Sequence, residues 1–281
     1  MRINCGQYQF DLETTDKNVQ QAVQLVYGDA VESAEVADFK LRLTPGSMLR
    51  RLIKPQVSFY CDQHSPFKPL PLSQAYAVLE WGMNWCIAAH EYCHFLVHAA
   101  VLVKNGRAIL FPALPGSGKS TLSAYLGLAG WTVYSDEMAM IDPQSLQVKP
   151  LFRPVCIKNN SIALVKGWHP DCVMTPVCRD TQKGDVAHVK VLNWQHYLEL
   201  TPVPICAVVF PKYVAGSTLT IYQLTQLDAF AQLSRNAFNY NVLGAKGFEL
   251  VNRLVRQAAL FQVEYSDVAE LDVFLTQELQ R

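Results

Sequence analysis

The chain has 281 residues, half of them apolar and 17% charged, with a formal net charge of zero. That composition supplies a large core and argues against a disordered chain. The densest basic stretch, Arg50 to Lys54, reads as a solvated edge, so nucleic acid is not expected as a partner. The first residues, Met1 to Asp11, are too polar for the apolar segment of a signal peptide. The longest apolar-rich stretch, Ala75 to Val103, is broken by Glu80, Asn84, His90, Glu91, His94 and His98, a pattern a membrane span tolerates badly. The eight cysteines form no C-x-x-C pair and several lie in apolar runs, so they read as free, buried thiols. A cytoplasmic protein without a membrane partner is the expectation.

In chain order, residues 1–73 read as short strands and loops, with VADFKLRL and QVSFYC as strands and the proline-rich SPFKPLPL as closure. Leu72 to His98 reads as one helix, with Ser73 as its N-cap and apolar residues at helical spacing through Ala77, Leu79, Trp81, Trp85 and Ala88. Two β-rich runs then flank Asn105-Gly106, a strong hairpin signal. A glycine-rich loop follows, then a helix over Lys119 to Leu128 ended by Gly130, and strands at Trp131 to Tyr134 and MAMI. Further on, CAVVFP, TLTIYQL and Leu260 to Tyr265 read as strands. Leu227 to Ala237, Gly247 to Ala258 and Asp267 to Leu279 read as helices. The alternation predicts a mixed α/β fold, with a strand-rich portion at 1–73 and a catalytic domain at 74–281.

The loop Ala113-Leu114-Pro115-Gly116-Ser117-Gly118-Lys119-Ser120 matches G-x-x-x-x-G-K-[ST] except for Ala at its first position. Small residues let main-chain N–H groups point at phosphate oxygens, and the helix N-terminus behind them adds partial positive charge. Lys119 is placed to reach the terminal phosphates of ATP, Ser120 to ligate Mg²⁺, and Thr121 completes the binding segment. One helix and one strand later come Asp136 and Glu137, where a carboxylate that holds Mg²⁺ or accepts a hydroxyl proton belongs. Counting outward from the Asn105-Gly106 turn sets Lys104 opposite Arg107, Ala100 opposite Phe111 and His98 opposite Ala113. His98 therefore joins the candidate site beside the loop. Arg153, Lys158 and Lys183 read as surface or strand-edge charges before phosphate contacts, and Asn239 and Tyr240 have no derived role.

A rival motif, His90-Glu-Tyr-Cys-His94, has the H-E-x-x-H spacing of a zinc hydrolase on what reads as a helix. It has no continuation that would supply a third ligand, and His98 is better accounted for by the hairpin. Zinc is not expected.

The order His98, GSGKS at Gly116 to Ser120, and SDE at Ser135 to Glu137 resembles the catalytic domain of HPr kinase/phosphorylase. The wider chain is similar to the HPr kinase-related kinase A group. That likeness runs through LEWGMNWC at Leu79 to Cys86, RPVCIKNNSI at Arg153 to Ile162, DTQKG at Asp180 to Gly184, and FNYNVLGAKGFEL at Phe238 to Leu250. The resemblance implies a P-loop kinase core of the HPr kinase/phosphoenolpyruvate carboxykinase type, a mixed sheet with flanking helices. It also implies ATP and Mg²⁺ and a serine acceptor on a peptide or small protein, such as a small peptide-chaperone protein. A homo-oligomer is permitted. The HPr kinase signature beyond the acidic pair and that family's N-terminal domain are both missing here. The expected activity is phosphoryl transfer from ATP to a hydroxyl; the alternative is a nucleotide-dependent binding module with little chemistry.

Overall fold

The computed structural model describes residues 1–32, 36–113 and 116–280, with main chain alone at 32, 51 and 52. Its contacts divide the chain into two compact units, Met1–His90 with Phe152–Leu198, and Glu91–Leu151 with Glu199–Arg281. The boundary expected at residue 73 does not coincide with this division. The fold is mixed α/β, with mixed sheets and flanking helices.

In chain order the first unit opens with β1 (Arg2–Asn4), β2 (Gln9–Thr14), α1 (Lys17–Tyr27), β3 (Val31–Glu32), β4 (Phe39–Pro45), α2 (Met48–Leu52), β5 (Gln56–Cys61), β6 (Leu70–Pro71) and α3 (Ala75–His90). The second unit begins with β7 (Phe95–Val97), β8 (Ala99–Lys104), β9 (Arg107–Pro112), α4 (Lys119–Leu128), β10 (Thr132–Ser135), β11 (Ala139–Ile141) and β12 (Gln147–Lys149). The chain returns to the first unit for β13 (Val155–Lys158), α5 (Asn160–Trp168), β14 (Cys178–Thr181), β15 (Gly184–Val189) and α6 (Trp194–Leu198). It completes the second with β16 (Val203–Tyr213), β17 (Thr220–Gln223), α7 (Gln226–Asn236), α8 (Tyr240–Leu243), α9 (Ala245–Gln257), β18 (Ala259–Tyr265) and α10 (Val268–Glu278). Among the described residues no helix is long and apolar enough to cross a membrane.

The first unit carries a six-stranded sheet in the order β3-β1-β2-β4-β5-β6 and a three-stranded sheet β13-β15-β14. β4 alternates buried and exposed residues from Phe39 to Leu43, the period-2 pattern of a half-covered sheet. α3 is buried along most of its length, and at Gly82 a Cβ would lie 2.1 Å from the Phe59 ring of β5, so only glycine admits this approach. The helix expected to reach His98 stops at His90. Glu91 then turns the chain, its carboxylate accepting hydrogen bonds from the main-chain N–H groups of Cys93 and His94, and Phe95–Val97 is strand. Helical spacing failed here because the short apolar run Phe95–Val97 suits a buried strand as well as a buried helix.

Within the first unit Glu80, 3% exposed, accepts from the hydroxyls of Tyr27 at 3.1 Å and Tyr76 at 2.5 Å, and pairs with the Arg153 guanidinium at 2.5 Å. Arg153 is therefore a buried ion-pair partner, not the surface charge expected. Burial pushes the Glu80 carboxyl up, but Arg153, His188 and the hydrogen bonds outweigh it and leave the group below its usual range.

The second unit is built on a nine-stranded sheet in the order β10-β8-β9-β16-β12-β11-β7, with β18 on β16 and β17 on β18. The β8–β9 hairpin has the register counted from its turn: Lys104 opposite Arg107, Leu102 opposite Ile109, Ala100 opposite Phe111. Asn105 (φ 54°) and Gly106 (φ 71°) both take the left-handed conformation that a two-residue hairpin turn needs. β9, β16 and β18 run parallel, and β10 runs antiparallel to β8, hence in the direction of β9. The carboxyl ends of β9, β10, β16 and β18 and the amino end of β8 thus emerge on one side of the sheet. Beneath them Val101, Leu110, Val208, Phe210, Leu233, Leu250, Val251 and Leu254 belong to one buried cluster.

Candidate functional site

The glycine-rich loop leaves β9 at Pro112 and enters α4 at Lys119; Leu114 and Pro115 lie outside the described residues. Gly116 (φ 90°) and Gly118 (φ 88°) have backbone angles that L side chains rarely adopt. They differ in surroundings. A Cβ on Gly116 would meet nothing within 4 Å, whereas one on Gly118 would sit 2.9 Å from the Tyr265 hydroxyl and 3.1 Å from Tyr213 Cβ. Gly118 is thus fixed by packing as well as by dihedral angle, and Gly116 faces open space. The Ser117 carbonyl accepts from Tyr213 N at 3.1 Å, which ties the loop to the end of β16. Ser117 Oγ is buried and makes no hydrogen bond among the described residues, an orphan that an oxyanion in the loop would satisfy.

Lys119 is only 8% exposed. A buried ammonium is costly without compensation. Its Nζ donates to the Asp136 main-chain carbonyl at 2.8 Å and lies 3.4 Å from His98 Nε2. The structure therefore brings Lys119, His98 and Asp136 together, with Ser120 against the Asp136 carboxyl. Asp136 is 3% exposed, and Glu137 is half-buried. Burial raises the Asp136 pKa; Lys119 opposes this, Glu137 reinforces it, and Ser120 and Ser123 lower it again, with burial prevailing. The result is a carboxyl that takes up a proton more readily than an ordinary aspartate. Ser120 and Thr121 stand half-buried on the first turn of α4, and Ala113 is buried just before the loop.

The hairpin ladder ends one step before His98, at Ala99 opposite Pro112. His98 N instead donates to Asn236 O at 2.7 Å, Phe238 N donates to Leu96 O at 2.9 Å, and Val97 bridges Ala237. Asn239 clamps this segment: Oδ1 accepts from Leu96 N at 3.0 Å, and Nδ2 donates to His94 O at 2.8 Å and Glu91 O at 3.3 Å. The Phe238 ring stands edge-on to the His98 imidazole, centroids 5.6 Å apart. Sequence reasoning gave Phe238 and Asn239 no role, although the resemblance runs through them, and missed Tyr213 and Tyr265. None lies within a spacing motif, and the 143 positions between Leu96 and Asn239 are closed only by the tertiary fold.

His90 ends α3 and bonds Cys86 O through Nδ1 at 2.9 Å, while His94 lies beyond the helix with Nδ1 3.2 Å from Glu91. The helical face that H-E-x-x-H requires is not formed. Among the described residues no cluster of three or more His, Cys, Asp or Glu is placed to hold a metal ion. Set against known proteins, the chain matches no family model and no curated protein.

Proposed function

We propose that the second unit is a P-loop kinase core that transfers the terminal phosphoryl group of ATP to a hydroxyl, a serine of a peptide or small protein, in the manner the resemblance to the HPr kinase-related kinase A group implies. The observation that carries this reading is the convergence of the buried Lys119 ammonium, His98 Nε2 and Asp136 at the mouth of a loop with two left-handed glycines. Ser117 Oγ, buried and unsatisfied among the described residues, suits an oxyanion there. Ser120, beside the Asp136 carboxyl, and the Asp136–Glu137 pair offer hard oxygen donors, and Ser120 with one of these carboxyls would hold Mg²⁺. Mg²⁺ held there supplies charge neutralisation at the phosphates.

The protein groups divide the work. Main-chain N–H groups of the loop and the start of α4 orient the phosphates, and Lys119 adds its charge at their far end. Asp136 and Glu137 divide two jobs, with Asp136 the more central: one carboxyl would hold Mg²⁺, and the other accepts the hydroxyl proton as the acceptor oxygen bonds to phosphorus and the bond to the bridging oxygen of the leaving ADP breaks. His98, fixed by Phe238 and the Lys119 contact, lines the same end.

The test is ATP·Mg²⁺ binding by calorimetry together with transfer from labelled ATP to candidate acceptors, followed by mass spectrometry. Lys119→Ala is expected to weaken ATP binding by about 1.5–3 kcal/mol, roughly 10- to 150-fold in Kd, by loss of a charge-assisted contact. Unchanged affinity in folded Lys119→Ala protein rejects the loop assignment. ATP binding with no transfer to any hydroxyl favours a nucleotide-dependent binding module.

A further inference from the structure

We infer that Tyr213 is the platform on which the nucleoside base stacks, an inference that rests on the loop binding a nucleoside triphosphate. Across the open end of the sheet the strands run β10, β8, β9, β16, β18. Asp136 follows β10 and His98 precedes β8, so the Asp136 carbonyl and His98 Nε2 that meet Lys119 Nζ both lie to one flank of the loop that follows β9. A nucleoside triphosphate is a linear molecule with the terminal phosphate at one end and the base at the other. With its terminal phosphate at Lys119, its base leaves toward the opposite flank, over the ends of β16 and β18. Ligands of parallel α/β sheets sit outside the carboxyl ends of the strands in this way.

Tyr213 is the last residue of β16, and its ring is 50% exposed. It is also held. Its main-chain N–H bonds the Ser117 carbonyl, and its Cβ closes on Gly118. Its ring stands edge-on to Tyr265, its register partner on β18, with centroids 5.9 Å apart. Tyr265 is 1% exposed and cannot itself receive a base. A half-exposed aromatic side chain, on a residue whose main chain is hydrogen-bonded to the loop, suits stacking against a base, because every base presents a π-face. The chemical class is therefore a nucleoside triphosphate whose base is held by stacking, without selection among the bases.

The experiment compares Mg²⁺·ATP with Mg²⁺·tripolyphosphate, which has the phosphates and no base, by calorimetry on the full chain. Tyr213→Leu keeps Cβ and Cγ against Gly118 and removes the aromatic plane; Tyr213→Phe keeps the plane. Tyr213→Leu is expected to lose about tenfold or more in ATP affinity, with tripolyphosphate affinity held within about twofold, and Tyr213→Phe restores ATP binding. Equal losses for both ligands would show that Tyr213 only supports the loop and would overturn the inference. So would unchanged ATP binding in the leucine variant, or wild-type protein that binds tripolyphosphate as tightly as ATP. Wild-type protein that binds neither ligand rejects the loop assignment itself, and the inference falls with it.

Discussion

Replacing Asn239 by alanine tests how the candidate site is held together. Its side chain closes three main-chain groups: the N–H of Leu96 and the carbonyls of Glu91 and His94. Asn239 is 3% exposed, so water does not replace it freely. At roughly 1 kcal/mol per main-chain group left unpaired, Asn239→Ala costs about 3 kcal/mol. Asn239→Asp costs at least as much, because it turns an oxygen toward two carbonyl oxygens where the amide N–H₂ stood. Leu96 is also the residue whose carbonyl accepts from Phe238 N, so the variant loosens the Phe238 segment that packs on the His98 imidazole. The assay is urea denaturation followed by fluorescence, with amide hydrogen exchange at Leu96. Roughly 100-fold faster exchange at that amide corresponds to the expected loss. A stability change under about 0.5 kcal/mol, with Leu96 still protected, refutes the clamp.

Asp136→Asn is expected to retain ATP binding while transfer falls by about 10²–10⁴-fold, measured by single-turnover kinetics; near-normal transfer removes Asp136 as the proton acceptor. Because burial raises the Asp136 pKa, its charged form costs stability in the fold. The native state is therefore favoured by this group below the unfolded value of about 3.9, and that favour is lost as pH rises through the raised folded value. Asp136→Asn should thus be more stable than metal-free wild type at neutral pH, with the gain vanishing in acid. Glu80→Gln leaves the buried Arg153 guanidinium without its countercharge and is expected to cost about 3–5 kcal/mol in denaturant melts at neutral pH. The Glu80 pKa is lowered in the fold, so its contribution is present above the unfolded value of about 4.3 and is lost as pH falls through the folded value. A stability difference between wild type and Glu80→Gln that does not shrink as pH falls through that window counts against the pair.

Local rules determined much of the second unit from the sequence alone. The Asn105-Gly106 turn sets a hairpin register by counting, because a two-residue turn leaves no slack, and the register agrees pair by pair from Lys104 to Ala100. Lys119–Leu128 is a helix with the expected limits, and the α7, α9, β18 and α10 segments lie within two residues of theirs. The same count set His98 opposite Ala113, but the ladder stops at Ala99, and His98 is held near Lys119 by its bond to Asn236. Other features were decided by partners distant in sequence. The apolar-rich stretch from 75 to 103 does not show that Glu91 will end the helix, since Phe95–Val97 is buried equally well as helix or strand. Arg153 looks like any surface arginine until Glu80, 73 positions earlier, is folded against it. The same holds for Asn239 and Tyr213. A single asparagine becomes a clamp, and a single tyrosine a half-exposed ring beside the glycine-rich loop, only when the fold closes Asn239 on Leu96 and Tyr213 on Ser117, because burial and contact are properties of the closed fold that no spacing along the chain encodes.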